Sequence, residues 1–287
     1  MTIRSPSKIG LPQRSFAGLE DPSSYFILDG RDYGNYSYPT SFVAQRRLSY
    51  KDLTTPIGEE WSLSFLPEIK RRNGVYPQPP CLEPLEKGVG VCAYSYLSNM
   101  TVKDALKLNL YYKNRTLSPR QYIDCLHLIQ EGLVGNKYVF DGTGDRLDQN
   151  SLGVIHDDLV GRLDLGVRGE FLDAYFLMIH GVLYLASDHT LLPDGNLAPR
   201  YIEPLESLLT QGRVGVGINF KDYLSRANSQ GFPPLDIKGG RCRYSPPKND
   251  SFGNFIVNGG NGEFNFGDTL SELKHPNIGI RAVKPMR

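Results

Sequence analysis

The run from Lys87 to Cys125, KGVGVCAYSYLSNMTVKDALKLNLYYKNRTLSPRQYIDC, sets the tightest limits on how this chain folds. Leu97, Thr101, Ala105 and Leu108 recur at spacings of three and four, so they share one face of a predicted helix. Ser98, Lys103, Asp104, Lys107 and Asn109 fall mostly elsewhere around it. A second helix is signalled by Ser118 as N-cap, Pro119 at the first helical position and Gln121 three residues after the cap. It is expected to run to about Glu131 and stop near Gly132. Ahead of the first helix, Gly88 and Gly90 form a glycine-rich turn that delivers Cys92 to the helix start. Unpaired N–H groups and the positive end of the helix dipole favour thiolate over thiol there. Cysteines so placed are often reactive, with pKa values down to roughly 3.5–7.5. The plain alternative for Cys92 is a small packing residue, since free cysteine is among the most buried residue types.

At 287 residues the chain can bury one large core or the cores of two lobes. Its net charge of +1 gives no bulk attraction to nucleic acid or to an acidic partner. No stretch has the unbroken apolar run of about 18 residues needed to span a membrane. The opening residues, MTIRSPSKIGLPQRSF, lack the apolar centre of a secretory signal. The four cysteines, Cys81, Cys92, Cys125 and Cys242, lack the close pairing of a zinc site. No metal or other cofactor is expected, and the cysteines are read as reduced thiols in an intracellular, cytoplasmic setting.

Residues 1–75 are rich in Pro, Ser, Tyr, Arg and Gly, and read as an extended N-terminal arm with short strands or turns. Tyr76-Pro77-Gln78-Pro79-Pro80 is a stiff connector. Val134 to Val167 reads as an insertion, with a loop at Gly142-Thr143-Gly144-Asp145. Gly169 to Gly181 is read as a third helix and Tyr201 to Gln211 as a short one. Arg213 to Phe220 alternates as a half-buried strand should. Further strands are expected at Asn254–Asn258, Glu263–Phe266 and Asn277–Val283, with Gly259-Gly260-Asn261-Gly262 turning between the first two.

The run Gly88-Val89-Gly90-Val91-Cys92-Ala93-Tyr94-Ser95-Tyr96, followed at the right separation by Leu117-Ser118 and Asp124-Cys125, resembles the papain family of cysteine peptidases. In that family the nucleophile stands in Gln-Gly-x-Cys-Gly-Ser-Cys-Trp-Ala-Phe, and a second helix carries Leu-Ser-x-x-x-x-x-Asp-Cys. The resemblance implies an α+β, two-lobed fold for residues 76–287, with a helical lobe over about 76–200 and a β-rich lobe over about 201–287. The Gly169 helix would be the family's third, with Ala174 and Phe176 at matching small and aromatic places.

A thiol peptidase also needs an imidazole near the sulfur and donors facing the oxyanion. The family's oxyanion glutamine falls on Glu86 or Lys87, and Ala93 replaces its tryptophan. The place of its late histidine falls on Phe252 or Gly253, and Asn265 only loosely matches its Asn-Ser-Trp. His275 is the one late histidine and the weak candidate base; His156, beside Asp157-Asp158, is another. His127 and His180 read as packed or capping groups on helices, and His189 as a loop residue. The reading expected from these absences is a papain-like pseudoenzyme serving as a structural or binding part of a larger assembly. Its arm would reach protein partners. By analogy with divergent papain-like proteins of large DNA viruses, a virion is one such assembly. An active peptidase with Cys92 as nucleophile is the alternative, and a thiol transferase or deamidase a third.

Overall fold

Strand β5, Gly169–Ile179, is the piece around which the main sheet is built. The computed structural model describes residues 21–47, 101–160, 169–206, 216–234, 236–237, 239–240, 242–258, 261–270 and 278–286. Within β5, Leu172, Ala174 and Phe176 are buried in one apolar cluster and Phe171 in another. A strand covered on both faces reads as an unbroken apolar run. Periodicity cannot separate such a run from a buried helix. The helix expected over Gly169–Gly181 is therefore corrected to a strand. It ends at His180 and Gly181, both left-handed (φ 49° and 80°), and the chain returns as β6, Val182–Leu191. Two left-handed central residues suit the twist of a two-residue hairpin.

The sheet continues through β7, Leu197–Pro204, on one side and β10, Ser251–Asn258, on the other. Beyond β10 lie β11, Asn261–Leu270, then β9, Cys242–Ser245, then β8, Val216–Ile218, while β12, Ile278–Gly279, pairs in parallel with the start of β5. The expected β10–β11 hairpin is present, with Asn258 opposite Asn261. The short helix expected from Tyr201 is instead the end of β7, and residues 207–211 lie outside the described region. The strand expected over Arg213–Phe220 is shorter, because Asn219 caps a helix that starts at Phe220. The last expected strand is split into β12 and β13, Val283–Pro285. Because β5, β6 and β7 share a sheet with β8 to β11, the lobe boundary expected near residue 200 runs through that sheet.

Three longer helices flank this sheet. Helix α1, Val102–Tyr111, buries Val102, Ala105, Leu106 and Leu108 with Phe171, Phe252 and Ile280. Thr101 is its N-cap, in extended conformation (φ −75°, ψ 160°), with its side chain accepting from the Asp104 N–H. The helix bearing Ala105 and Leu108 therefore starts at Val102 rather than before Leu97, while the expected placing of Cys92 falls outside the described residues. Helix α2, Pro119–Leu133, has the capping box expected from Ser118 and Gln121. It buries Tyr122, Ile123, Leu126 and Ile129 against Leu172, Ala174 and Phe176. Helix α3, Gln149–Val160, packs beside α2 and occupies much of the stretch expected as an insertion. Helix α4, Phe220–Arg226, packs on α2 as well. The chain is thus of mixed α+β class. No helix among the described residues is long and apolar enough to cross a membrane.

The part of the expected arm that is described belongs to the fold. Strands β1, Tyr25–Leu28, and β4, Ser41–Ala44, pair with each other, and β4 pairs with β13 from the C-terminal end. Between them, β2, Arg31–Asp32, and β3, Ser37–Tyr38, form a small hairpin. Phe26, Leu28, Phe42 and Val43 are buried. A four-charge cluster secures this junction. Arg281 donates from Nη2 to Asp158 at 2.5 Å, from Nε to Glu170 at 3.1 Å and from Nη1 to the Ala44 carbonyl at 2.7 Å. Arg47 lies 3.5 Å from Glu170, and its N–H donates to Asp158 at 3.2 Å. Two positive and two negative side chains are buried together, which removes the cost of enclosing any one of them alone.

Candidate functional site

Cys92, Cys81, Lys87, Glu86 and His275 lie outside the described residues, so the structure does not bring Cys92 and His275 together or separate them. Cys125, on α2, is fully buried, and burial pushes its thiol well above the ordinary value. It is a packing group rather than a nucleophile. Its neighbour Asp124 holds four donors. Arg120 bonds it through Nη2 at 2.6 Å and Nε at 3.1 Å, and the Tyr33 and Tyr38 hydroxyls donate at 2.8 and 2.5 Å. Arg120 also donates to the Ala227 and Asn228 carbonyls at 2.9 and 3.0 Å. Asp124 with Arg120 thus fastens the β2–β3 hairpin and the α4 exit to α2, while Cys125 packs in the core.

The other histidines separate clearly. His127 is half-buried on α2, its pKa lowered first by burial and then by Lys137. His156 sits on α3, with its ring 3.7 Å from Asp157. His180 is an exposed turn residue, not a helical one. His189, expected in a loop, lies on β6 and is 5% exposed. Its Nδ1 bonds Asp173 Oδ1, and its backbone N–H donates to Asp173 Oδ2 at 3.0 Å. Asp173 is 4% exposed and sits on β5 between the stretches paired with β12 and with β6; its own N–H donates to the Leu117 carbonyl at 2.8 Å. A carboxylate that grips both the ring and the backbone of one histidine fixes the ring plane. With Nδ1–H donated to the carboxylate, the lone pair is left on Nε2. The same contact is the one by which a carboxylate orients a histidine base in catalytic triads. Among the described residues no nucleophile bonds to it.

A small polar cleft of about 60 Å³ opens beside this pair, lined by Tyr36, Tyr38, Arg115, Thr116, Ser118, Gln121, Asp173, Asp188 and Tyr201, among others. It lies where the β2–β3 hairpin, the start of α2, β5, β6 and β13 meet. The Tyr36 hydroxyl shares a hydrogen bond of 2.6 Å with Ser118 Oγ. Burial, and then the charges of Asp173, Asp188 and Glu203, push that phenol far above its ordinary pKa. Asp188 is left-handed (φ 52°) and lies 3.1 Å from Arg115 and 3.7 Å from Arg200. Asparagine and aspartate tolerate that backbone better than most residues. Burial still raises the Asp188 pKa against the pull of Arg115 and Arg200.

Glu203 lies on β7. Burial raises its pKa, Gln230 opposes that with a hydrogen bond, and Glu206 adds repulsion. A carboxyl held above its ordinary pKa binds its proton more tightly in the folded than in the unfolded chain. Its support for the fold is full at acid pH and is lost as pH rises through the raised folded value. Glu203→Gln removes that loss. The variant is expected to match the parent in acid and to melt higher than the parent at neutral pH, as scanning calorimetry at both pH values would show. A lower melting temperature at neutral pH would contradict the account.

Comparison with known proteins finds no matching family model, no matching curated protein and no matching solved structure. Neither member of the Asp173–His189 pair stands out in the sequence. Asp173 falls in an apolar run that reads equally as a helix, because its neighbours are apolar on both sides. His189 reads as a loop residue only while the strand after the turn goes unmarked by alternation. The available signal was His180-Gly181 between two apolar runs, an X-Gly pair of the kind that turns a hairpin.

Proposed function

We propose that this chain is a non-enzymatic structural or binding component of a larger assembly, related to the papain-like peptidases but without their chemistry. A virion is one assembly of this kind. The observation that carries the reading is the use made of the buried charges. Arg47, Arg281, Asp158 and Glu170 join the N-terminal strands, α3, β5 and the C-terminal segment, and Arg120 with Asp124 joins α2 to the β2–β3 hairpin. These groups bind chain to chain and are enclosed from any substrate. The capped α2 helix with its Asp124-Cys125 pair supports the papain relationship, while the strand at β5 departs from it.

A specific observation favours a second reading, an active cysteine peptidase. His189 is oriented by Asp173 as a general base is, and Cys92 would be its nucleophile. Alkylation with iodoacetamide separates the two. For an inert thiol, Cys92 labels slowly at about pH 6 and faster at about pH 8.5, as an unperturbed thiol does. Rapid labelling at the lower pH, abolished by His189→Ala, would establish the peptidase reading and overturn the first.

A further inference from the structure

We infer that the cleft at the start of α2 takes one uncharged carboxamide, the head group of an asparagine or glutamine side chain on a protein partner. The inference rests on the reading of the chain as a binding component and names the group bound.

The residues that line the cleft hold hydrogen-bond donors that the chain leaves unused. Gln121 lines it and is 9% exposed. Its Oε1 accepts from the Ser118 N–H at 3.0 Å, which closes the capping box and fixes which end of the amide is oxygen. The Nε2 end carries two hydrogens and has no hydrogen-bond partner among the described residues. It is not one of the sealed orphan atoms either, so a group in the cleft can reach it. Polar groups on buried side chains normally find partners, so an amide used at one end only calls for an acceptor at the other.

Other groups in the lining add to this. Thr116 is 6% exposed, and its hydroxyl accepts from Asn109 Nδ2 at 2.9 Å but donates to nothing among the described residues. Tyr36 and Ser118 share one hydrogen bond, which uses one of their two hydroxyl protons and leaves the other to be given. Arg115 holds Asp188 through Nη1, and its guanidinium has further N–H groups. Two carboxylates, Asp173 and Asp188, complete the polar lining. Asp173 is bonded to His189, and Asp188 lies between Arg115 and Arg200. Each is matched within the chain, yet a carboxylate oxygen can accept more than one hydrogen bond.

This mixture selects the ligand. The unused donors of Gln121 and Thr116 need an acceptor, which a cationic side chain lacks. An anion would supply one, but it would meet the like charges of Asp173 and Asp188 at close range. A carboxamide satisfies both sides. Its oxygen accepts from Gln121 or Thr116, and its NH2 group donates to a carboxylate, with no charge to be stripped of water. The space of about 60 Å³ takes a head group of this size and excludes a sugar or nucleotide. Tyr201 also lines the cleft and is 57% exposed, an aromatic contact of the kind enriched where proteins meet.

The test is a titration of the full chain with acetamide, acetate and acetamidinium, followed by two-dimensional amide NMR. The three probes have nearly one shape and are uncharged, negative and positive. Acetamide is expected to saturate, with shifts at the Gln121 side-chain NH2 and the Thr116 amide, and each ion to bind more weakly by at least about tenfold. Gln121→Glu keeps a capping-box acceptor at that position, and with it α2, but turns the unused donor into an acceptor. Its melting temperature should stay close to the parent's, while acetamide weakens by a similar factor and acetamidinium tightens. The blocked tripeptide Ala-Gln-Ala should bind at least as tightly as acetamide, and Ala-Glu-Ala more weakly, since the group comes from a side chain. Absence of saturation by acetamide, an ion bound as tightly as acetamide, parental acetamide affinity in a folded Gln121→Glu variant, or exclusion of Ala-Gln-Ala would each overturn the inference. Cys92 labelling reports on the non-enzymatic reading separately, so the two can fail independently.

Discussion

Replacing Arg281 with methionine is expected to cost the fold about 3–5 kcal/mol, the range seen when one partner of a buried ion pair is removed. Arg281 is fully buried and touches Asp158, Glu170 and the Ala44 carbonyl. Methionine matches much of its aliphatic volume, so the loss is one of charge and hydrogen bonding rather than of packing. Without Arg281 the enclosed cluster holds two carboxylates against Arg47, an excess negative charge with no access to water. Glu170→Gln in the Arg281→Met background should restore part of the loss, because it returns the cluster to neutrality. Urea unfolding of the parent, the single and the double variant would show this as a midpoint that falls and then partly recovers. A loss below about 1 kcal/mol for the single variant would mean that the cluster is not the clamp described here. The expected effect is large because the cluster joins four distant parts of the chain, so weakening it frees β4 and β13 together.

Asp124→Ala is expected to be of similar size, about 3–5 kcal/mol, for a related reason. Arg120 is buried and would lose both carboxylate bonds while staying charged. The Tyr33 and Tyr38 hydroxyls would lose their acceptor at the same time. Tyr38→Phe removes one of those bonds and keeps the ring, so about 1.5–3 kcal/mol is expected for it. Hydrogen exchange distinguishes this clamp from the other. Asp124→Ala should speed exchange in the β2–β3 hairpin before the main sheet, because the hairpin is tied to α2 through these tyrosines. Uniform acceleration across β5 and β10 would place the hairpin and sheet in one cooperative unit instead. Gly231 adds a steric check on the same contact. It is left-handed (φ 89°), and a Cβ there would lie 2.4 Å from the Arg120 backbone N, so alanine would force the α4 exit away from α2.

The parts of this fold legible in the sequence are those whose causes lie a few residues apart. Ser118, Pro119 and Gln121 specify the start of α2 through a capping box closed within one turn. The glycines after Asn258 specify the β10–β11 hairpin in the same way. The α1 face was half legible. Ala105 and Leu108 are buried as their spacing implies, but Thr101 leaves the helix as its cap because its hydroxyl accepts the Asp104 N–H. β5 is not legible as a strand because Phe171, Leu172, Ala174 and Phe176 are apolar on both faces, and burial on both sides erases the alternation that marks a strand. The cleft is hidden with it, since Asp173 is placed by β5, and Asp188 and Tyr201 by the strands that follow it.

The sequence by itself determined where the chain turns and where its capped helices begin, since capping oxygens and turn glycines act on backbone groups within about four residues. Tertiary structure alone decided that Asp173 meets His189, that Arg281 meets Glu170 across more than a hundred residues, and that Glu203 and Ser187 share one side of the sheet. Strand register and buried charge pairing are settled between distant segments. No spacing along the chain records which carboxylate will find which cation.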